Sequence, residues 1–363
     1  MPQLRAIILS QLLFLASISS AEDPIVEVVA DGLTLPWAVA FLPDGGYLVT
    51  ERAGRLLRLA ADGRIAAEVA GVPEVLFQGQ GGLMDLVLDP AFADNGRLYL
   101  SYARGTTRAN TTTIHTARLE GDALVDGQDI FSTRPVKTTP QHYGARMAFM
   151  QDGTLLMTTG DGFDHREEAQ LTTGLLGKTI RIATDGSVPV DNPFFAGGGE
   201  PEIWSYGHRN AQGLTVAPDG TVWQHEHGPA GGDEVNRIEP GANFGWPIAT
   251  YGMDYIGARI SPFQQYPGMA EPLHHWTPSI APSGLAYYDG VSFSDWAGDL
   301  FVGGLAIVGL FRVDLEAGRA VGAERVVPEI DERVRDVRTG ADGALYVLTD
   351  AESGRLLRVR PAS

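Results

Sequence analysis

The sequence of 363 residues contains no cysteine. That excludes a disulfide framework and any thiol nucleophile, so stability must come from the core and from whatever the fold binds. Basic residues are few: 27 Lys and Arg stand against 45 Asp and Glu, a formal charge of −18. So acidic a surface argues against a nucleic-acid role. There is no P-loop, no other phosphate-cradling loop and no GxSxG nucleophile motif. Nowhere does an apolar run reach the ~20 residues that a membrane-spanning helix needs.

What is present begins with a leader. Arg5 supplies the n-region charge, residues 6–18 form an apolar stretch broken only by Ser10, Gln11 and Ser17, and Ser19-Ser20-Ala21 offers small residues for cleavage. Residues 1–21 are therefore expected to be a signal peptide and residues 22–363 a single domain, periplasmic or secreted. Loss of Arg5 leaves 26 basic against 45 acidic residues, or −19. With 45 Gly, 22 Pro and only 20% charged residues, the chain is built for many turns and short elements, which favours an all-β fold.

One phrase recurs six times: an apolar strand, a Pro-Asp-Gly-type turn, a second apolar strand, then a third strand of alternating basic and apolar residues. The copies occupy residues 38–59, 85–119, 146–182, 213–238, 284–315 and 336–359. Asp44-Gly45, Asn95-Gly96, Asp152-Gly153, Asp219-Gly220 and Asp342-Gly343 mark the hairpins, where glycine tolerates positive φ. Segments between copies, such as 25–30 and 323–327, supply outer fourth strands. The prediction is a six-bladed β-propeller of four-stranded antiparallel sheets, with residues 25–29 completing the last blade and closing the ring. A two-sheet sandwich fits less well, because it needs no sixfold phrase. The long loops 183–207 and 240–283, rich in Pro, Gly, Tyr and Trp, are expected to wall a cleft over one end of the ring.

The densest polar stretch is 202–247, EIWSYGHRNAQGLTVAPDGTVWQHEHGPAGGDEVNRIEPGANFGWP. His142, in the loop before the third copy, is either a hydrogen-bonded loop histidine or a general base working near neutral pH. Arg209-Asn210, Arg333 and Arg335 hold equivalent positions before the fourth and sixth copies. They read either as surface ion pairs or as a ring of forks for a polyanion. Gln80 brings an amide to the same channel mouth, while Trp276 and Tyr255 are either packing residues or platforms for a flat ligand. His225 and His227 share a strand face and suggest a transition metal, but no third nitrogen ligand follows. The carbonyls of Gly228-Pro229 with Glu234 suit calcium better, and a plain turn beside a solvated acid is the bland alternative.

Taken in order, LPWAVAFLPDG, GQGGLMDLVLDP, QHYGARMAF, LLGKTIRI, YGHRNAQGL, EHGPAGGDEVNRI, NFGWP, PSIAPSGL and LYVLTD make the chain resemble the soluble PQQ-dependent aldose sugar dehydrogenases of the glucose/sorbosone dehydrogenase family. The resemblance covers essentially the whole chain after the leader. It implies a six-bladed propeller that holds pyrroloquinoline quinone over the channel on a calcium ion. It makes His142 the base that takes the anomeric hydroxyl proton of an aldose, with hydride passing to the quinone and a lactone leaving. Gln80, Arg209, Asn210, Gln212, Tyr255, Trp276, Arg333 and Arg335 fall on cofactor-binding positions. By the same likeness, backbone oxygens of Gly228 and Pro229 hold the catalytic calcium, and Glu234 with the carbonyl of Phe244 holds a second one.

The implied partners are a sugar and an external electron acceptor, with no nucleic acid and no membrane span, in a monomer or homodimer. The sequence departs from the family where Ala306 replaces a lysine that pairs with the cofactor, and Gln141 stands where some members have an acid. Loss of that cation is worth about 1–3 kcal/mol of cofactor binding if the pairing is desolvated. Two other readings share the fold: a calcium-dependent propeller lactonase, which needs carboxylates and amides converging on one metal, and a secreted binding propeller without catalysis.

Overall fold

In the computed structural model, which describes residues 23–362, twenty-four strands form six four-stranded antiparallel sheets. The leader expected over residues 1–21 lies outside the described residues. Blades 1 to 5 span residues 36–68, 83–132, 144–206, 211–276 and 282–326. Blade 6 combines residues 334–361 with the strand Pro24–Leu33, which pairs Pro24 with Pro361 and Val28 with Leu357. The ring therefore closes as the sequence predicts. Glu27 on the closing strand takes Arg360 at 2.5 Å and Arg358 at 3.2 Å from the strand beside it.

The repeated turns form for a local reason. Asp44, Asp152, Asp219 and Asp342 each accept the backbone N–H two residues on, at 3.0, 2.9, 2.9 and 3.2 Å. The glycine between stands at positive φ, from 75° at Gly343 to 87° at Gly220. Six apolar clusters then fill the six seams between neighbouring blades. Leu86 and Leu100 of blade 2 meet Leu48 and Leu56 of blade 1, for example, and Ala344 and Leu348 of blade 6 meet Val49 and Leu57 of blade 1. Hydrophobic burial thus locks each sheet to the next rather than building one central core.

The first strand of every blade lines the axis, and each carries a register shift near its start. In four blades one polar side chain from the second strand reaches across to the carbonyl of the next blade's first strand. Thr50 donates to Met84 O at 2.7 Å, Ser101 to Ala145 O at 2.8 Å and Thr158 to Ala211 O at 3.0 Å. His225 occupies the same station, donating Nε2–H to Gly284 O at 2.9 Å. Gly213 makes room for it, since a Cβ there would stand 2.2 Å from His225 Nε2.

Midway down the axis the channel is plugged by charge. Arg146, fully buried, meets Asp336 at 2.8 Å and Asp85 at 3.4 Å, lies 3.9 Å over the Trp37 ring, and donates to the carbonyls of Gln212 and Arg335. Arg338 closes the cluster at 2.6 Å from Asp85 and 2.9 Å from Asp336. Buried charges persist only when paired and hydrogen-bonded, as these are.

Candidate active site

In four blades an acid stands at the end of the second strand or within two residues of it, and each holds the start of its own blade, the loop that leads into the first strand. Glu51 takes Thr34 N at 2.6 Å, Asp161 takes His142 Nδ1 at 2.7 Å, and Glu226 takes His208 Nδ1 at 2.9 Å and Arg209 N at 2.5 Å. Asp350 takes both Arg333, at 2.6 Å, and Arg335, at 3.2 Å. The backbone reverses direction between the two strands, so strand end and leading loop meet at the same end of the blade. A carboxylate there satisfies donors that no ladder partner reaches.

His142 is the best-anchored residue of this end. Its backbone is in the left-handed region, at φ 48°, and its N–H donates to Gln80 Oε1 at 2.8 Å. Asp161 also accepts Phe163 N and Trp246 Nε1, both at 2.8 Å, so the carboxylate is fixed on three sides. Burial alone would raise Asp161, but the His142 hydrogen bond and the charges of His142 and Arg209 outweigh it and hold the carboxyl below its ordinary range. Burial pushes His142 below 6.5, against the pull of Asp161. The imidazole is thus neutral near pH 7, with its proton on Nδ1 and its lone pair on Nε2. Among the described residues, Nε2 has no hydrogen-bond partner.

A cavity of about 290 Å3 lies above the Arg146 plug; Gln80 and Tyr143, the hydrogen-bond partner and chain neighbour of His142, line it, and His142 itself does not. Gln80, Asn210, Gln212, Arg333 and Arg335 line it together, as do Arg52 and Asp350. Arg209 and Tyr255 line an adjoining cleft of about 430 Å3 with Asp161, Phe163 and Trp246. The Arg209 guanidinium lies 5.3 Å from the Trp246 ring centroid and 5.9 Å from that of Tyr255. Trp276 stands apart: it belongs to the short strand His274–Trp276, packs on the blade 4–5 cluster and His274, and touches none of these linings.

The expected cleft walls are half realised. Loop 240–283 contributes Trp246, Asp254, Tyr255 and Ile260 to the cleft. Loop 183–207 instead runs along the outer edge of blade 3, where Asp191 and Asn192 hold Arg181, and Glu200 meets Arg134. None of its residues lines the axial cavity or the cleft.

His225 and His227 do not converge on a metal. Each donates Nε2–H to a carbonyl of blade 5's first strand, His225 to Gly284 and His227 to Pro282 at 2.8 Å. Burial drives both pKa values down, His225 to about 4, so both are neutral struts between blades. The Gly228-Pro229 turn is braced by Asp233, which accepts Gly228 N at 2.8 Å, while Gly228 O accepts Arg209 Nη1 at 2.7 Å.

Glu234 lies opposite Glu226 in the strand register and takes Asn236 Nδ2 at 3.2 Å. Burial and then the charge of Glu226 push Glu234 well above the usual carboxylate range, and Asn236 Oδ1 is buried without a partner. Phe244 stacks on His208 with centroids 4.8 Å apart. Among the described residues, no group of three or more His, Cys, Asp or Glu side chains is placed to hold a metal ion.

Asp161, Trp246, Arg52 and Asp350 were not singled out in the sequence. For Asp161, Asp350 and Arg52 the signal was present in the repeat itself, as the acid at the end of the second strand of a copy or the residue after it; Trp246 lies in loop 240–283, outside the repeat.

The sequence profile described as Glucose / Sorbosone dehydrogenase matches residues 33–358. The aldose sugar dehydrogenase YliI of Escherichia coli is 40% identical over 344 residues, covering 93% of this chain and 92% of that protein. Among solved structures, a glucose dehydrogenase superposes with a TM-score of 0.90 at 43% identity, over 93% of this chain and all (100%) of the other. The PQQ-bound aldose sugar dehydrogenase of Streptomyces coelicolor gives 0.76 at 28% identity, over 93% and 99% of the two chains.

Proposed function

The chain belongs to the glucose/sorbosone dehydrogenase family, and from that membership we propose that it oxidises the anomeric carbon of an aldose to a lactone, with pyrroloquinoline quinone as cofactor and His142 as the base. The observation that carries this reading is the His142–Asp161 pair at 2.7 Å, which leaves a neutral imidazole with its Nε2 lone pair uncommitted. Asp161 holds the Nδ1 tautomer and stabilises the imidazolium that forms when Nε2 takes the hydroxyl proton. As the proton leaves, the C1–H bonding pair departs as hydride and the C1–O bond becomes the carbonyl of the lactone. The quinone, when bound, supplies the two-electron acceptor for that hydride.

The donor set suits such a group. Three guanidiniums, Arg52, Arg333 and Arg335, share the cavity lining with one carboxylate, Asp350. The Nε atoms of Arg52 and Arg209 are buried without partners. A planar tricarboxylate quinone would meet these cations and the amides of Gln80, Asn210 and Gln212. Tyr255 would close the cleft side, while Trp276 would act through packing.

Calcium would draw on backbone oxygens of Gly228 and Pro229 beside the quinone, whose carboxylates offset the guanidinium of Arg209. A second calcium at Glu234 and the Phe244 carbonyl is favoured by the raised Glu234, the facing Glu226 and the orphaned Asn236 oxygen. The leader over residues 1–21 would export the enzyme, placing it in the periplasm or outside the cell, where an external acceptor reoxidises the cofactor. Among the described residues no helix is long and apolar enough to cross a membrane.

The test is reconstitution. The purified chain is mixed with calcium and pyrroloquinoline quinone, desalted, and assayed for dye reduction with a panel of aldoses. Retained quinone absorbance with aldose-dependent reduction is expected; neither appearing would refute the reading.

A further inference from the structure

On the reading that the axial cavity takes a planar polycarboxylate, we propose that Arg52 is a carboxylate-binding residue of that cavity and couples ligand binding to the placement of His142. The four arginines at this end of the ring differ in how much of each guanidinium is free. Arg333 spends Nε and Nη2 on Asp350 and Nη1 on Leu305 O. Arg335 spends Nε and Nη2 on Asp350 and Nη1 on Ser283 Oγ. Arg209 commits Nη1 to the carbonyls of His227 and Gly228 and Nη2 to the Tyr255 hydroxyl.

Arg52 alone of the four has a whole terminal nitrogen uncommitted. Its Nη2 donates to Gly79 O at 2.5 Å and Gly81 O at 3.2 Å, and among the described residues Nη1 has no acceptor. Nε is buried and unpaired, and burial depresses the pKa of the guanidinium, with Asp350 pulling the other way. A cation desolvated in this way gains more from an anion beside it than an exposed one does. Arg52 also shares its lining with Ala306, which brings no charge.

The second half of the proposal follows from the Nη2 edge. Gly79 and Gly81 flank Gln80, whose Oε1 accepts His142 N at 2.8 Å and whose N–H bonds Pro140 O at 2.9 Å. One guanidinium thus grips the loop that seats the base and presents its other edge to the ligand. A carboxylate on Nη1 fixes the arginine, and the arginine fixes Gln80.

The experiment titrates the ligand-free chain with pyrroloquinoline quinone and, in parallel, with trimellitate, a planar tricarboxylate that is no quinone, following tryptophan fluorescence. Arg52→Gln is expected to raise both dissociation constants about 10- to 100-fold, as loss of one charge-assisted hydrogen bond should. Unchanged constants overturn the proposal. If Arg52→Gln also lowers the melting temperature, Arg52→Lys decides. Affinity within about threefold of the parent supports a charge contact, and affinity as weak as that of the glutamine variant overturns it. A parent that binds trimellitate through Arg52 but no quinone refutes the quinone reading and leaves this one standing. A parent that binds neither overturns both.

Discussion

Asp161 accepts the Nδ1 proton of His142 at 2.7 Å and is itself fixed by Phe163 N and the Trp246 indole. This pair makes the first prediction. His142→Ala should retain the quinone but lose about 10²- to 10⁴-fold in turnover, measured as dye reduction at saturating aldose. Unchanged turnover would remove His142 from the chemistry.

The same pair sets a pH profile. A base works unprotonated, and burial holds His142 below 6.5, so the acid limb of turnover should lie below pH 6.5. Asp161 pulls that pKa upward, so Asp161→Asn should move the limb to still lower pH while slowing the plateau. The sign for stability agrees. A histidine depressed in the folded state contributes fully above its unfolded pKa, and the contribution fades as pH falls through the folded one. A limb that moves to higher pH in the asparagine variant would contradict the assignment.

Arg146 tests the plug. Arg146→Met leaves Asp85 and Asp336 facing each other with only Arg338 between them, at a cost of about 3–5 kcal/mol. Urea denaturation should show this as a lower midpoint with little change in slope. A midpoint equal to the parent's would mean that the cluster contributes nothing to stability.

Glu234 tests the second cation. Calcium at about 100 times its dissociation constant should stabilise the parent by about 2.7 kcal/mol. Glu234→Gln should lose that increment and, free of calcium, melt no lower than the parent, because a carboxylate already disfavoured by burial and by Glu226 has been removed. Full calcium stabilisation in the variant would place the ion elsewhere.

Ala306 tests the position where the resemblance leads one to expect a lysine. It lines the axial cavity with Arg333 and Arg335. Ala306→Lys should tighten quinone binding about tenfold or more if the new ammonium meets a carboxylate. No change in the dissociation constant would show that the existing guanidiniums already satisfy the ligand.

The ring was legible because its phrase repeats in residue type as well as in length. Each Asp-Gly turn is a local event, decided within four residues, and six of the phrases leave few architectures open. The site was only half legible. His142, Arg333 and Arg335 stand just ahead of the repeated phrase, where its pattern is interrupted, and so attract notice. Asp161 and Asp350 sit where a strand ends, and their meaning depends on partners 19 and 15 residues earlier, brought close only by the reversal of the chain. His225 was misleading for a related reason. Its role is that of Thr50, Ser101 and Thr158, and histidine looks like chemistry until the ring shows three hydroxyls doing the same thing. Trp276 illustrates the converse, an aromatic residue in a polar loop whose ring faces the seam between blades.

The pairing of residues 24–33 with 354–361 also fixes an order of events in the life of the chain. The first strand to be synthesised has no lasting place until the last one exists, so a ribosome always carries an open arc. The axial cavity draws its walls from blades 1, 2, 4, 5 and 6 and from Tyr143 in the loop leading into blade 3, and an open arc has no such cavity. Whatever ligand the axis takes can be captured only by a completed molecule.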